Sequence, residues 1–151
     1  MTTAYENLLG FVRETEALSA IAGRLGWDQE TMMPKGAAPQ RGHEVAALES
    51  VLHARRTNPQ VGEWLEIAEK EVQDAEGQAQ LRHINRSFDR ASKVPAKLAA
   101  EIARLTSEAQ GVWADARQQD DFAAFAPTLE QVIALKREEG QALAARGDVY
   151  D

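Results

Sequence analysis

The chain has 151 residues, 44% of them hydrophobic and 27% charged, with a formal net charge of −7 and no cysteine. That is enough chain for one domain with a real core. The acidic balance argues against a nucleic-acid binder, which needs a basic face for phosphates, and the missing cysteines exclude a disulfide framework, a thiolate zinc site and a cysteine nucleophile.

Ala, Leu, Glu, Gln and Arg dominate the composition, and all are helix formers. Thr3-x-x-Glu6 has the form of a capping box and opens a first helix. Tyr5, Leu8, Leu9, Val12, Leu18, Ile21, Ala22 and Leu25 then repeat as one broad apolar face. Gly26 is placed to end that helix. An irregular segment, Trp27–Arg41, follows, with Pro34 and Pro39 barring a continuous helix. Trp27 reads as a core plug or a binding surface, and the plug is favoured because burying so large a ring would give this loop a reason to order.

A second helix starts near Pro39 on the face of Val45, Ala46, Leu48 and Leu52, and fades at Arg55-Arg56-Thr57. Asn58-Pro59 supplies an N-cap and a first-turn proline for the next helix, which carries Val61, Trp64, Leu65, Ala68 and Val72. Gly77 separates it from a helix bearing Leu81, Ile84 and Phe88; one bent helix through Gly77 is the alternative. Val94-Pro95 opens a long helix with Leu98, Ile102, Leu105, Ala109, Val112, Trp113 and Ala116, and Trp64 and Trp113 are assigned to the core. Asp120-Asp121 breaks it. Phe122 and Phe125 form a short connection before Pro127 opens the last helix, with Leu129, Val132, Ile133 and Leu143; Gly140 and Gly147 weaken its end. The expected architecture is a single all-α domain over 1–151, a bundle of about five to six helices. No apolar run approaches transmembrane length. No basic and apolar leader precedes Thr3, so no signal peptide is expected, and a cytoplasmic protein is.

Chemistry is sparse. A gluzincin-type metal site needs two histidines at i and i+4 on one helix. His43-Glu44 begins that pattern, but the fourth step is Ala47. His53 and His83 fall on other lines, so the three histidines read as helix-surface residues rather than ligands. Glu63, Glu66, Glu69, Glu71, Asp74 and Glu76 read as a solvated face rather than an acid–base pair. Arg55-Arg56 and Lys136-Arg137 read as helix-end and surface charge. No nucleophile elbow or phosphate loop is present. No catalytic and no metal-binding residue is assigned, and no cofactor is expected in this chain.

The run Trp27-Asp28-Gln29-Glu30-Thr31-Met32-Met33-Pro34-Lys35-Gly36, with Arg41 beyond it, resembles the N-terminal signature of the carboxypeptidase Taq family. Val94-Pro95, then Trp113-Ala114-Asp115-Ala116-Arg117, then Asp121-Phe122 and Phe125-Ala126-Pro127-Thr128-Leu129, resemble that family's next block, and Leu135-Lys136-Arg137-Glu138 and Tyr150-Asp151 continue it. The resemblance implies an all-α fold like the N-terminal helical part of a zincin-type carboxypeptidase. It also implies a parent enzyme that takes peptide substrates and holds zinc or cobalt in a His-Glu-x-x-His helix and a downstream Glu. There a metal-activated water, with Glu as general base, would attack the last peptide bond.

None of those ligands maps onto this chain, which is expected to be an inactive lid or scaffold unit of such an enzyme. The residues assigned to a peptide groove or lid scaffold are Trp27, Asp28, Thr31, Met33, Pro34 and Arg41. Asp28 or Thr31 would hydrogen-bond free backbone N–H groups at the turn, and Arg41 would tie the segment to a carboxylate. The alternative is a stand-alone helical interaction module without activity, and a third possibility is a metal-binding bundle using His43, His53 and His83. Apolar surface left exposed where an enzyme's remainder would pack predicts a homodimer. No nucleic-acid or membrane partner is expected.

Overall fold

The computed structural model describes residues 2–144. Gly147, Tyr150 and Asp151, invoked for the end of the last helix and of the family pattern, lie outside the described residues. The described residues are all-α: six α-helices and one 3-10 turn. The helices are α1 (Ala4–Thr31), α2 (Ala38–Arg56), α3 (Pro59–Glu71), α4 (Ala75–Lys93), α5 (Ala96–Gln118) and α6 (Phe122–Leu143), with the 3-10 turn Lys35–Ala37 between α1 and α2.

Local chemistry sets most of the boundaries. At the start of α1, Thr3 Oγ1 accepts from the Glu6 N–H at 3.1 Å and the Glu6 carboxylate accepts from the Thr3 N–H at 2.9 Å, so two otherwise orphaned donors are satisfied reciprocally. Asn58 Oδ1 accepts from the Gln60 N–H ahead of α3. Asp74 Oδ1 accepts from the Gly77 N–H, so the break after α3 lies at Val72–Asp74 and Gly77 is already in the first turn of α4. Two separate helices result, rather than one bent helix. Gly77 is needed there for space: a Cβ would lie 2.4 Å from Val72 Cγ1.

Two boundaries differ from expectation. α1 continues through Gly26 to Thr31, because nothing forces that glycine into a left-handed conformation and the residues beyond it are anchored from outside the helix. The irregular stretch therefore shrinks to Met32–Pro34 and the 3-10 turn. Pro34 ends α1 by disfavouring helical backbone at Met33. At the other end, α6 begins at Phe122 rather than Pro127, because Asp121 Oδ1 caps it by accepting from the Ala124 N–H at 3.1 Å. Pro127 is thus inside the helix. The carbonyl it leaves without an amide belongs to Ala123, which is exposed and can bond water.

The main core lies between α1, α3 and α4. Leu8, Val61, Leu65, Ala68, Val72 and Leu81 form a buried cluster, flanked by Tyr5, Phe11, Val12, Trp64, Ile84 and Phe88. Phe11 meets Trp64 edge-on at 5.7 Å between centroids. The second layer is α2 packed along α5, the most extensive helix pair in the molecule, with α6 against the far side of α5. Leu52 on α2 and Leu98, Leu105, Ala109 and Ala116 on α5 are buried. The backbones approach closely at Gly42, where a Cβ would lie 2.8 Å from Glu108 Oε1 and 3.1 Å from Glu108 Cγ.

Arg55 joins the two layers, which corrects its assignment as surface charge. Its Nε donates to Thr15 Oγ1 at 2.9 Å, its Nη2 reaches the Phe11 carbonyl and Glu14, and its guanidinium lies 4.1 Å from the Phe11 ring centroid. Thr15 is itself buried and donates to the Phe11 carbonyl. α1 is anchored here at mid-length, and beyond Thr15 it contains no buried residue. Its C-terminal part runs along α2, and Gln29 near its end reaches Ser107 on α5.

Candidate functional site

The projecting end of α1, the turn that follows it and the middle of α5 meet in one place. Gln29 and Ser107 bond reciprocally: Gln29 Nε2 donates to the Ser107 carbonyl at 2.7 Å, and Ser107 Oγ donates to Gln29 Oε1 at 2.8 Å. Lys35, in the 3-10 turn, pairs with Asp115 across 80 residues of sequence. From behind, Arg41 on the first turn of α2 holds the same segment. Its Nη2 donates to Asp28 Oδ2 at 2.5 Å, its Nε donates to Glu44 Oε2 at 3.0 Å, and its Nη1 donates to the Leu25 carbonyl. The Arg41 side chain is only 10% exposed. Its hydrogen bond to Asp28, ahead of those to Glu44 and against the effect of burial, raises its pKa above the ordinary guanidinium value.

These ties brace a groove of about 740 Å³ between α1 and α5, whose walls include Gln29, Glu30, Met33, Lys35, Glu108, Trp113 and Asp115. Glu108 is fixed in turn by Arg104, which donates to it at 2.7 Å and to Glu101 at 2.5 Å. The hydrogen bond from Arg104 is the main reason the Glu101 carboxyl sits below the usual glutamate pKa. The groove offers an aromatic ring, apolar side chains and charges of both signs.

Of the six residues assigned to the scaffold from sequence, Asp28 and Arg41 are brought into contact, and Met33 lines the groove. Pro34 is exposed and precedes the 3-10 turn. Trp27 is not a plug. It is 64% exposed on α1, because the helix carries it past the end of the core. Trp113, assigned to the core, is likewise 51% exposed at the groove. Asp28 and Thr31 do not bond the free N–H groups of the turn. The Asp28 carboxylate goes to Arg41 and Thr31 Oγ1 donates to the Trp27 carbonyl. The N–H groups of Met32 and Met33 are both taken by the Asp28 main-chain carbonyl at 2.8 Å.

Sequence reasoning missed Gln29, Ser107, Lys35 and Asp115 as bracing pairs. The available signal was that three of the four lie in the two segments carrying the family resemblance.

Among the described residues, no group of three His, Asp or Glu side chains is arranged to hold a metal ion. His43 and His83 are exposed on different helices, and His53 Nε2 donates to the Val94 carbonyl at 2.6 Å, which ties the end of α2 to the junction between α4 and α5. A histidine metal site is therefore not assembled. The acidic residues Glu63, Glu66, Glu69, Glu71, Asp74 and Glu76 are exposed, as a solvated face should be.

Residues 7–151 match the family described as carboxypeptidase Taq (M32) metallopeptidase. The chain belongs to that family. It is 41% identical over 161 aligned residues to thermostable carboxypeptidase 1 of Thermus thermophilus, covering 98% of this chain and 32% of the relative. Its fold is similar to that of Trypanosoma cruzi metallocarboxypeptidase 1, with a TM-score of 0.69 at 32% identity, over 92% of this chain and 28% of the other. It also superposes on the BsuCP crystal structure with a TM-score of 0.90 at 19% identity, over 98% of this chain and 30% of the other, a likeness of fold alone. The chain thus spans about a third of the length of the curated relatives it matches. Both segments that brace the groove fall inside the matched M32 region. Among the described residues, no helix is long and apolar enough to cross a membrane.

Proposed function

We propose that residues 1–151 form the N-terminal lid and scaffold unit of a metal-dependent carboxypeptidase that removes C-terminal amino acids from peptides, and that the unit is not catalytic by itself. The observation that carries this reading is the braced groove. Two segments far apart in sequence are fixed to each other by Gln29–Ser107 and Lys35–Asp115, and to α2 by Arg41, around a surface of mixed polarity. Trp27, Asp28, Thr31, Met33, Pro34 and Arg41 act as its scaffold. The parent enzyme's metal, zinc or cobalt in this reading, would be held by residues outside these helices, since among the described residues no group of three His, Asp or Glu side chains is arranged for it.

Exposed Trp27, Met32, Val112, Trp113 and Phe122 support a unit that packs against more protein. They also support pairing of two copies as a homodimer. The cysteine-free, acidic composition supports a cytoplasmic setting. Peptides are the substrates of the complete enzyme.

A chimera tests the proposal. This chain replaces the matching third of the Thermus thermophilus enzyme, and release of C-terminal amino acids is measured with and without chelator. Chelator-sensitive hydrolysis by the chimera and none by the 151-residue chain are expected. Hydrolysis by the short chain, or a folded chimera without activity, would overturn the reading. Within an active chimera, Trp27→Ala should alter peptide-length preference.

A further inference from the structure

We propose that the exposed basic row of α4 and the apolar depression beside it form a docking surface for an acidic peptide segment with one large apolar side chain. Between residues 82 and 93, α4 carries Arg82, Arg86, Arg90 and Lys93 against a single acid, Asp89, in a chain of net charge −7. Lys93 pairs with Asp89 at 2.7 Å. The three arginines are exposed, recur every fourth residue, and enter no ion pair among the described residues. Arg41, Arg55, Arg56 and Arg104 are paired, and the other unpaired arginines among the described residues, Arg13, Arg24, Arg117 and Arg137, are scattered over α1, α5 and α6 rather than set in a row.

Beside this row lies a depression of about 500 Å³ between α1, α3 and α4. Its floor is apolar, made by Phe11, Val12, Val61, Ile84 and Phe88, and His83 and Ser87 form its α4 rim. Seven residues are nearly two helical turns, so Arg90 lies on His83's line about 10 Å further along α4. The basic row therefore borders the apolar depression. Arg55 and Arg56, already paired with Glu14 and Glu49, stand at another part of the rim with Glu16, so the unpaired basic groups beside the depression are those of α4.

Charge complementarity selects the occupant. Carboxylates either side of an apolar anchor would meet Arg86 and Arg90 while the anchor enters the depression. Guanidinium groups favour carboxylates through forked, charge-assisted hydrogen bonds. A nucleic acid is the poorer match, because its phosphates need a broad basic face and this chain carries a net charge of −7.

The probe is a fluorescein-labelled peptide with a central Phe flanked on both sides by Glu, titrated with the 151-residue chain and followed by anisotropy. Saturable binding is expected. It should weaken at least about tenfold in the double variant Arg86→Glu, Arg90→Glu, and strongly at high salt. Replacing the peptide Phe by Ala should weaken it several-fold, and replacing its Glu by Gln should abolish it. Both arginines are exposed, so circular dichroism should show the variant folded. No saturable binding, equal binding of the Gln peptide, or an unchanged affinity in the double variant would overturn the proposal. So would equally tight binding of a single-stranded oligonucleotide that depends on the same arginines.

Discussion

Replacing Arg41 by Met removes the guanidinium and keeps most of the apolar stem. The guanidinium makes three contacts, to Asp28, Glu44 and the Leu25 carbonyl. A hydrogen bond to a charged partner contributes about 1.5–3 kcal/mol and one to a neutral carbonyl about 1 kcal/mol. The Asp28 and Glu44 side chains are 41% and 42% exposed, so water takes over much of what they lose, and their share must be cut by half or more. A net loss of about 2–3 kcal/mol results. At about 2–4 °C per kcal/mol for a chain of this size, Tm should fall by roughly 5–10 °C.

Thermal and urea melts by circular dichroism measure that fall, and a double-mutant cycle with Asp28→Asn isolates the pair, with a coupling of about 1 kcal/mol expected. Amide exchange should quicken at Trp27–Thr31 before it does in α3, because the end of α1 is held from outside the core. Melting within about 1 °C of the parent chain, or strict additivity with Asp28→Asn, would refute the argument that Arg41 fixes this segment.

Gly77→Ala should destabilise by about 1–2 kcal/mol despite alanine's better helix propensity, because its Cβ would strike Val72 Cγ1, and a chemical melt checks the sign. Trp27→Ala should change the stability of the 151-residue chain by no more than about 0.5 kcal/mol, since the ring is mostly in solvent; a loss of several kcal/mol would restore the plug. Glu101 has a pKa held below the ordinary 4.5, chiefly by the Arg104 hydrogen bond. Its contribution is therefore complete above the unfolded value and disappears as pH falls through the folded one. Glu101→Gln should accordingly be less stable than the parent chain near pH 6, with the gap closing in urea titrations as pH falls below the ordinary 4.5. Leu8→Ala, which opens the centre of the main core, should cost about 2–5 kcal/mol.

The helix starts were legible because they are written locally. Thr3 with Glu6, Asn58 with Pro59, and Val94 with Pro95 each satisfy or remove nearby backbone donors, and the structure begins a helix at each. Gly26 was misjudged because its neighbours are held by Arg41 and Ser107, partners that a local window does not contain. Pro127 was misjudged as a start because the Asp121 cap acts first. Apolar spacing placed Val61, Leu65 and Leu81 in the core correctly. For Trp27 and Trp113 the same spacing could show a helical face but not what covers it. The groove was visible only as a resemblance, since pairs such as Gln29–Ser107 leave no periodic trace.

The pairing of α2 with α5 sets the order in which the chain can assemble. The α3–α4 hairpin is an excursion of about forty residues that must be closed before Leu52 and Gly42 can find α5. Such closure makes nucleation depend on contacts distant in sequence, so folding should be slower than in a bundle where each helix packs on the next. Substitutions at the α2–α5 crossing should then act mainly on the folding rate, and those on α6, which has no buried side chain among its described residues, mainly on the unfolding rate.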